Sequence, residues 1–78
     1  MALPVNLTAE VSVKVRVTER EGEVLNLLSK GMTRKEIASL LHVSIASVRD
    51  LVHRLCWKLG ASNAAEAVAN GFRMGILE

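Results

Sequence analysis

The spacing of apolar positions changes along this 78-residue chain, and the change separates two kinds of element. In residues 11–17 valine occupies every second position, with Ser12, Lys14 and Arg16 between. Period-two alternation with β-branched residues predicts a β-strand. Because a strand needs partners for its backbone groups, we expect this segment to pair with residues 3–7, a second copy of the chain or another protein.

After this segment the apolar residues recur at helical spacing. Thr18 with Glu21, and Thr33 with Glu36, each match the capping box, in which a hydroxyl and a carboxylate satisfy two otherwise unpaired backbone N–H groups. Gly31 is a natural stop for the first helix. We therefore predict one helix that begins after Thr18 and ends near Gly31, and a second short helix that begins after Thr33.

Two further helices are predicted in the second half of the chain. Ser44 is an N-cap candidate and Gly60 a C-terminal stop, and they bound a third helix. Ser62 or Asn63 begins a fourth helix that is rich in alanine. A tight link at residues 42–43 joins the second helix to the third, which predicts an all-α helix-turn-helix domain in a small four-helix bundle.

The composition fits one small folded domain. Half of the residues are hydrophobic, but there is one Phe, one Trp and no Tyr, so the core must be aliphatic. We expect residues 1–17 to form a strand extension and residues 18–78 the helix-turn-helix domain. Cys56 is the single cysteine, and neither a signal peptide nor an 18-residue apolar stretch is present. We therefore expect a cytoplasmic protein without a disulfide.

The third predicted helix carries an apolar side and an opposite side of mixed chemistry. A rotation of 100° per residue brings Val48, Val52, Leu55 and Leu59 to one side of this helix, which is its apolar side. The opposite side carries Arg49, Asp50, His53 and Trp57, with Arg54 and Lys58 toward one margin. Residues 30–58 hold six basic residues against two acidic ones, a net charge of +4. This pattern suits the DNA major groove, although a solvated surface helix shows similar chemistry.

Most of the chain, residues 17–77, resembles the LuxR-type helix-turn-helix, also called the FixJ or NarL type. The positions that match its pattern are Thr18, Arg20, Glu21, Val24, Leu25, Leu28, Gly31, Lys35, Glu36, Ile37, Ala38, Leu41, Ser44, Val48, Lys58, Leu59 and Gly60. The resemblance implies a four-helix DNA-binding domain. Its third helix, residues 45–59, is then expected to enter the major groove while the second braces the backbone and the fourth forms a dimer contact.

The resemblance also implies roles for individual residues. The expected base contacts are Arg49, Asp50 and His53. The phosphate contacts that the resemblance implies are Thr33, Arg34 and Lys35 on the second helix and Lys58 on the third. We also expect Arg54, at the same margin of the third helix as Lys58, to contact a phosphate. On the fourth helix, the side chains expected to pack inward are Ala64, Ala67, Val68 and Phe72. The outer face, with little side-chain bulk, is expected to form the dimer interface through Ala65, Ala69 and Arg73.

This sequence departs from the family pattern at four positions. Leu51 replaces the usual His and Ser47 the usual Thr, and both changes keep the site workable. Asp50 would repel phosphate unless it accepts a hydrogen bond from cytosine or pairs with Arg54, four residues on. Trp57 stands where the family usually has a polar residue, so we expect it to contact a protein partner or to pack against the N-terminal strand.

These observations predict a stand-alone transcription regulator, bacterial or phage-encoded, that binds double-stranded DNA as a homodimer. Because seventeen residues precede the domain in this sequence, we expect it to act without a receiver or ligand-binding domain. Two alternatives stay open: a helix-turn-helix that binds and modulates another regulator, and a DNA-binding accessory factor in phage development or recombination. His42, His53 and Cys56 lack zinc-site spacing and no nucleophile–base set is visible, so we expect no metal, cofactor or catalysis.

Overall fold

Four helices account for most of the residues that the structure describes. This computed structural model describes residues 16–78. Its helices are α1 (Glu19–Ser29), α2 (Arg34–Leu41), α3 (Ile45–Leu59) and α4 (Ala64–Arg73). The predicted all-α, four-helix class is confirmed. Residues 1–15, and with them most of the predicted strand and its expected partner segment, lie outside the described residues.

The first two helices begin at the capping boxes that the sequence predicts. The Thr18 N–H donates to Glu21 Oε1 (2.9 Å), and the Glu21 N–H donates to Thr18 Oγ1 (3.1 Å). Thr33 and Glu36 make the same pair of bonds, at 2.8 and 3.1 Å. Each box satisfies two N–H groups that have no partner within the helix, so these local residues determine where α1 and α2 start.

The link between α2 and α3 is a three-residue turn. His42 adopts the left-handed conformation, with φ at 58°, and ends α2. The next N–H, that of Val43, donates back to the Ala38 carbonyl at 3.0 Å. Ser44 then caps α3 by accepting from the Ser47 N–H at 3.0 Å, as predicted. This short turn holds α2 and α3 in a helix-turn-helix pair.

Helix α3 lies at the centre of the bundle and packs against each of the other three helices. Its buried residues are Val48, Leu51, Val52, Leu55 and Leu59. The other helices contribute mainly aliphatic residues, and the largest fully buried side chains among them are Val24, Leu25 and Ile37. Because one side of α3 is buried along its whole length, the opposite side must face outward.

Helix α4 faces the core with smaller residues than the sequence predicts. Phe72, expected to pack inward, has 49% of its surface exposed. The inward position belongs instead to Gly71, where a Cβ atom would lie 3.0 Å from both Leu25 Cδ2 and Leu77 Cδ1. The expectation for Phe72 was wrong because α4 approaches α1 closely at Gly71, and the next residue is rotated about 100° away from that contact.

Candidate nucleic-acid interface

The outer side of α3 presents a group of side chains that make few contacts within the fold. Arg49, Asp50 and His53, the expected base contacts, are all exposed on this side. Trp57 continues the same side and has 82% of its surface exposed. The burial of the opposite side therefore brings all four side chains to one surface, as the helical spacing predicts.

A groove of about 710 Å³ runs beside this surface. It lies between α3, the start of α2 and the segment that joins α3 to α4. Its lining residues, which define the α3 groove, are Arg34, Arg49, Val52, His53, Cys56, Trp57, Ala61, Ser62, Asn63 and Ala64. The charged residues among them are the two arginines, which come from different helices. The groove therefore offers positive charge on two sides and an exposed aromatic ring.

The start of α2 carries two exposed cations. Thr33, Arg34 and Lys35, the expected phosphate contacts, are all exposed. The Thr33 hydroxyl already accepts the Glu36 N–H in the capping box, but it retains its own proton for donation. Arg34 and Arg49 both line the α3 groove. The structure thus brings Arg34 to the same surface as the outer face of α3, and Thr33 and Lys35 are exposed on either side of it in sequence.

Lys58, also an expected phosphate contact, has a partner within the fold. Its Nζ donates to Glu21 Oε1 at 2.8 Å, and 25% of its side chain is exposed. Glu21 itself is 2% exposed. An unpaired carboxylate at that depth would carry a large desolvation cost, so the ammonium of Lys58 is needed inside the protein. The structure gives Lys58 a role in joining α1 to α3 rather than a free position at the surface.

Arg54 extends the same network toward solvent. Its Nε lies 3.8 Å from Glu21 Oε2, whereas 60% of its side chain is exposed. Arg54 therefore pairs with Glu21 and not with Asp50, the partner that the sequence offered as an alternative. Most of the guanidinium stays available to a phosphate, and its position beside Glu21 limits the directions in which it can extend.

The Glu21 carboxyl remains ionised because its hydrogen bonds outweigh its burial. Burial alone would raise the pKa of Glu21, but donation from Lys58 Nζ and from the Thr18 N–H lowers the pKa below the ordinary value of 4.5. One sequence signal points to this buried acid. Glu21 has helical spacing with Val24, Leu25 and Leu28, which places it on the core side of α1.

The expected dimer residues lie on the outer part of α4. Ala65 and Arg73 are exposed, and Ala69 is half-buried. Arg73 Nη1 donates to Asn70 Oδ1 at 2.8 Å, and Asn70 Nδ2 donates to the Leu59 carbonyl at 2.8 Å, which ties α4 to the end of α3. Phe72 and Met74 add exposed apolar surface at the end of α4 that the sequence did not predict.

Comparisons with known proteins agree with this architecture. The model of the family described as "Bacterial regulatory proteins, luxR family" matches residues 16–70. The spore germination protein GerE of Bacillus subtilis is 42% identical over 69 residues, which cover 88% of this chain and 93% of GerE. A solved structure titled "Structure of Transcription factor, GerE" superposes with a TM-score of 0.75 and 32% identity, covering 80% of this chain and 92% of that one.

Longer regulators match over part of their length. The response regulator Rre1 of Synechocystis is 37% identical over 71 residues, 91% of this chain and 31% of Rre1. VraR of Staphylococcus saprophyticus is 34% identical over 82 aligned positions, 90% of this chain and 39% of VraR. The chain thus spans nearly all of GerE and about a third of these response regulators.

Two further properties concern the described part of the chain. No helix within residues 16–78 is long and apolar enough to cross a membrane. In the same residues, no three His, Cys, Asp or Glu side chains form a group that could hold a metal ion.

The ion pair between Glu21 and Lys58 predicts a measurable loss of stability on neutralisation. Glu21→Gln keeps an oxygen that can accept the Thr18 N–H but removes the charge that Lys58 needs. We expect the free energy of unfolding in urea to fall by about 1–3 kcal/mol at neutral pH. The difference from the unsubstituted protein should be full above the ordinary pKa of 4.5 and disappear as the pH falls through the lower pKa that Glu21 has in the fold, because the carboxyl stabilises the fold only while it is ionised.

Glu36→Gln is the matched control for this change. Glu36 makes the same capping-box bonds with Thr33, but its residue is exposed and it has no ion pair within residues 16–78. Donation from the Thr33 N–H also lowers its pKa, so the effect of the cap is common to both variants. Equal losses in the two variants would show that Lys58 and Arg54 add nothing to the cap.

Proposed function

This chain belongs to the luxR family of bacterial regulatory proteins, and we propose that it regulates transcription by placing the outer face of α3 in the major groove of duplex DNA. The observation that carries the proposal is the exposed group formed by Arg49, Asp50 and His53, directly opposite the buried side of α3. A helix held on one side by a bundle and exposed on the other has the dimensions that the major groove accepts. Such a regulator acts where bacterial DNA lies, in the cytoplasm.

Each exposed polar residue of α3 has a base edge that suits it. The Arg49 guanidinium can donate two hydrogen bonds to O6 and N7 of guanine. Asp50 accepts hydrogen bonds only, so it suits the amino group of cytosine, and the lack of a bond to Arg54 leaves its carboxylate available. His53, one turn after Arg49, extends the readout toward the middle of α3.

The proposed phosphate contacts are Thr33, Arg34, Lys35 and Arg54. The first three are exposed at the start of α2, and Arg54 has a largely exposed side chain at the other margin of α3. Contacts on both sides of α3 would hold the helix in register on the duplex without reading its sequence. We leave Lys58 out of this set because Glu21 already binds its ammonium.

We also propose a homodimer that forms through α4. Ala65 and Ala69 have small side chains that allow two helices to approach closely, and the exposed Phe72 adds apolar surface beside them. A two-fold pair would present two copies of α3, and copies about 34 Å apart match one turn of B-DNA.

Arg49 is expected to determine the preference at one base pair. Arg49→Ala should weaken binding to the preferred site by about 1–3 kcal/mol and relax the choice of base at one position. Selection from a random duplex pool, followed by titration, measures both effects. Arg20→Ala, which removes an arginine paired with Glu23 on α1, is the control. An unchanged affinity and consensus in Arg49→Ala would mean that this face of α3 contacts something other than DNA.

Neutralising Arg34 or Lys35 should act on all sequences alike. Each substitution to Ala should weaken binding uniformly and reduce the slope of log affinity against log salt by about one unit, because one fewer phosphate is neutralised. Titrations at several salt concentrations on two unrelated duplexes provide the measurement. A change in base preference would show that α2 does not lie along the backbone as proposed.

Ala69→Glu is expected to separate the dimer. A carboxylate in the small-residue interface would be buried beside its symmetry mate, so the variant should sediment as a monomer and lose tight binding to a two-half-site duplex. Asn26→Glu makes the same charge change at an exposed position of α1, and it should alter neither the oligomeric state nor the DNA affinity. Identical oligomeric states and affinities in Ala69→Glu and the unsubstituted protein would rule out α4 as the interface.

A further inference from the structure

We infer that the α3 groove holds the sugar–phosphate backbone of one DNA strand, with Trp57 as the wall that packs against the deoxyribose. This inference rests on the proposed binding of duplex DNA through α3 and adds a contact to it. Trp57 requires an explanation because 82% of its surface is exposed near the C-terminal end of the outer face of α3. An indole ring exposed to that extent gains most from a partner that covers its apolar surface.

The position of Trp57 along α3 determines which part of the DNA it can reach. At 100° per residue it points almost directly away from the buried Val48 and Leu55. It follows Arg49 by eight residues, which is about 12 Å along the helix axis. The major groove is also about 12 Å wide. With the axis of α3 inclined across the groove and Arg49 against a base edge, Trp57 lies near the border of the groove, where a sugar–phosphate strand runs.

The charges around the groove favour a polyanion. Arg34 and Arg49 are the charged residues of the lining, and they stand on different helices. Glu66, the acidic residue in the first turn of α4, is not part of the lining. Its carboxylate accepts the Ser62 N–H, and its own N–H donates to Asn63 Oδ1. A strand that carries one phosphate per nucleotide can place a phosphate beside Arg34 and its sugars against the ring, while Arg49 reaches the base edge.

The chemistry of the indole selects the sugar over the bases. Bases in an intact duplex are stacked, and inserting a ring between them requires several kcal/mol of unstacking. The deoxyribose offers apolar C–H surface without that cost, and a neighbouring phosphate oxygen can accept the indole N–H. An acidic protein segment would also suit the arginines. DNA is favoured because the groove is continuous with Arg49 and His53, so a duplex on those residues covers Trp57 as well.

Loss of the Trp57 contact should change affinity, salt slope and consensus in a way that differs from loss of the other proposed contacts. Contacts to the sugar–phosphate backbone position a protein without reading sequence, so loss of Trp57 should weaken binding to every duplex alike. Trp57 carries no charge and neutralises no phosphate, so the salt slope should stay the same. Arg34→Ala lowers that slope and Arg49→Ala changes the consensus, whereas Trp57→Ala should do neither.

The chain contains one tryptophan, so it carries its own probe. We would titrate it at low salt with a mixed-sequence duplex of about 20 base pairs, or two turns of DNA. Anisotropy of an end-labelled copy of the duplex reports binding independently. The expected result is a blue shift of the indole emission and a marked loss of acrylamide quenching, both saturating together with the anisotropy. Poly-L-glutamate at the same ionic strength is the comparison anion and should protect the indole far less.

The variants complete the test. Trp57→Ala should bind the mixed duplex and any selected site about tenfold more weakly, with an unchanged salt slope and consensus. Trp57→Phe should recover part of the loss, and circular dichroism verifies that both variants are folded. Arg20→Ala serves again as the control and should bind as the unsubstituted protein does.

Several results would overturn the inference while DNA binding stands: duplex binding by anisotropy with unchanged indole emission and quenching, equal affinity in Trp57→Ala, or a changed consensus in that variant. Equal protection by poly-L-glutamate would identify the groove as a site for an acidic protein segment. An indole already shielded in the free protein would mean that protein occupies the groove. Absence of duplex binding by anisotropy would remove the proposed function, and this inference with it.

Discussion

The burial of one side of α3 against three other helices is the constraint on which the rest of this structure depends. Val48, Val52 and Leu55 can leave water only if α1, α2 and α4 surround that side. The same packing leaves the opposite side without neighbours, so Arg49 and Trp57 are exposed without any element dedicated to presenting them. The core is small, and α3 supplies much of it. The stability of the domain and its proposed binding surface therefore depend on the same helix.

Electrostatic interactions define the position of α3 against α1 more closely than apolar packing alone does. Apolar contacts hold α3 against α1 but are non-directional, whereas the bonds from Lys58 and Arg54 to Glu21 act at defined atoms near the end of α3. The basic residues of the chain therefore fall into two groups with different roles. Lys58 neutralises a buried carboxylate, while Arg34 and Arg49 line the α3 groove and form no ion pair within residues 16–78. A net charge counted along the sequence does not make this distinction.

Much of the fold could be predicted from sequence because its boundaries are local. The Thr18 and Thr33 boxes, the Ser44 cap and the Gly60 stop each involve residues within a few positions of one another. The direction of Phe72 could not be predicted, since it depends on how closely α4 approaches Leu25. The Glu21–Lys58 bond joins residues 37 positions apart, and nothing in local spacing selects Lys58 over another cation. The roles of individual residues toward DNA stay predictions.

The two kinds of polar residue have different freedom to change over evolutionary time. Glu21 caps α1 and also binds Lys58, so replacing either residue leaves an unfavourable intermediate unless the other changes too. Asp50, His53 and Trp57 are exposed on α3, and a new side chain at any of them meets solvent rather than the core. Single substitutions on the outer face of α3 can therefore change what the protein binds without loss of stability. A change at the ion pair between α1 and α3 requires that Glu21 and Lys58 be replaced together.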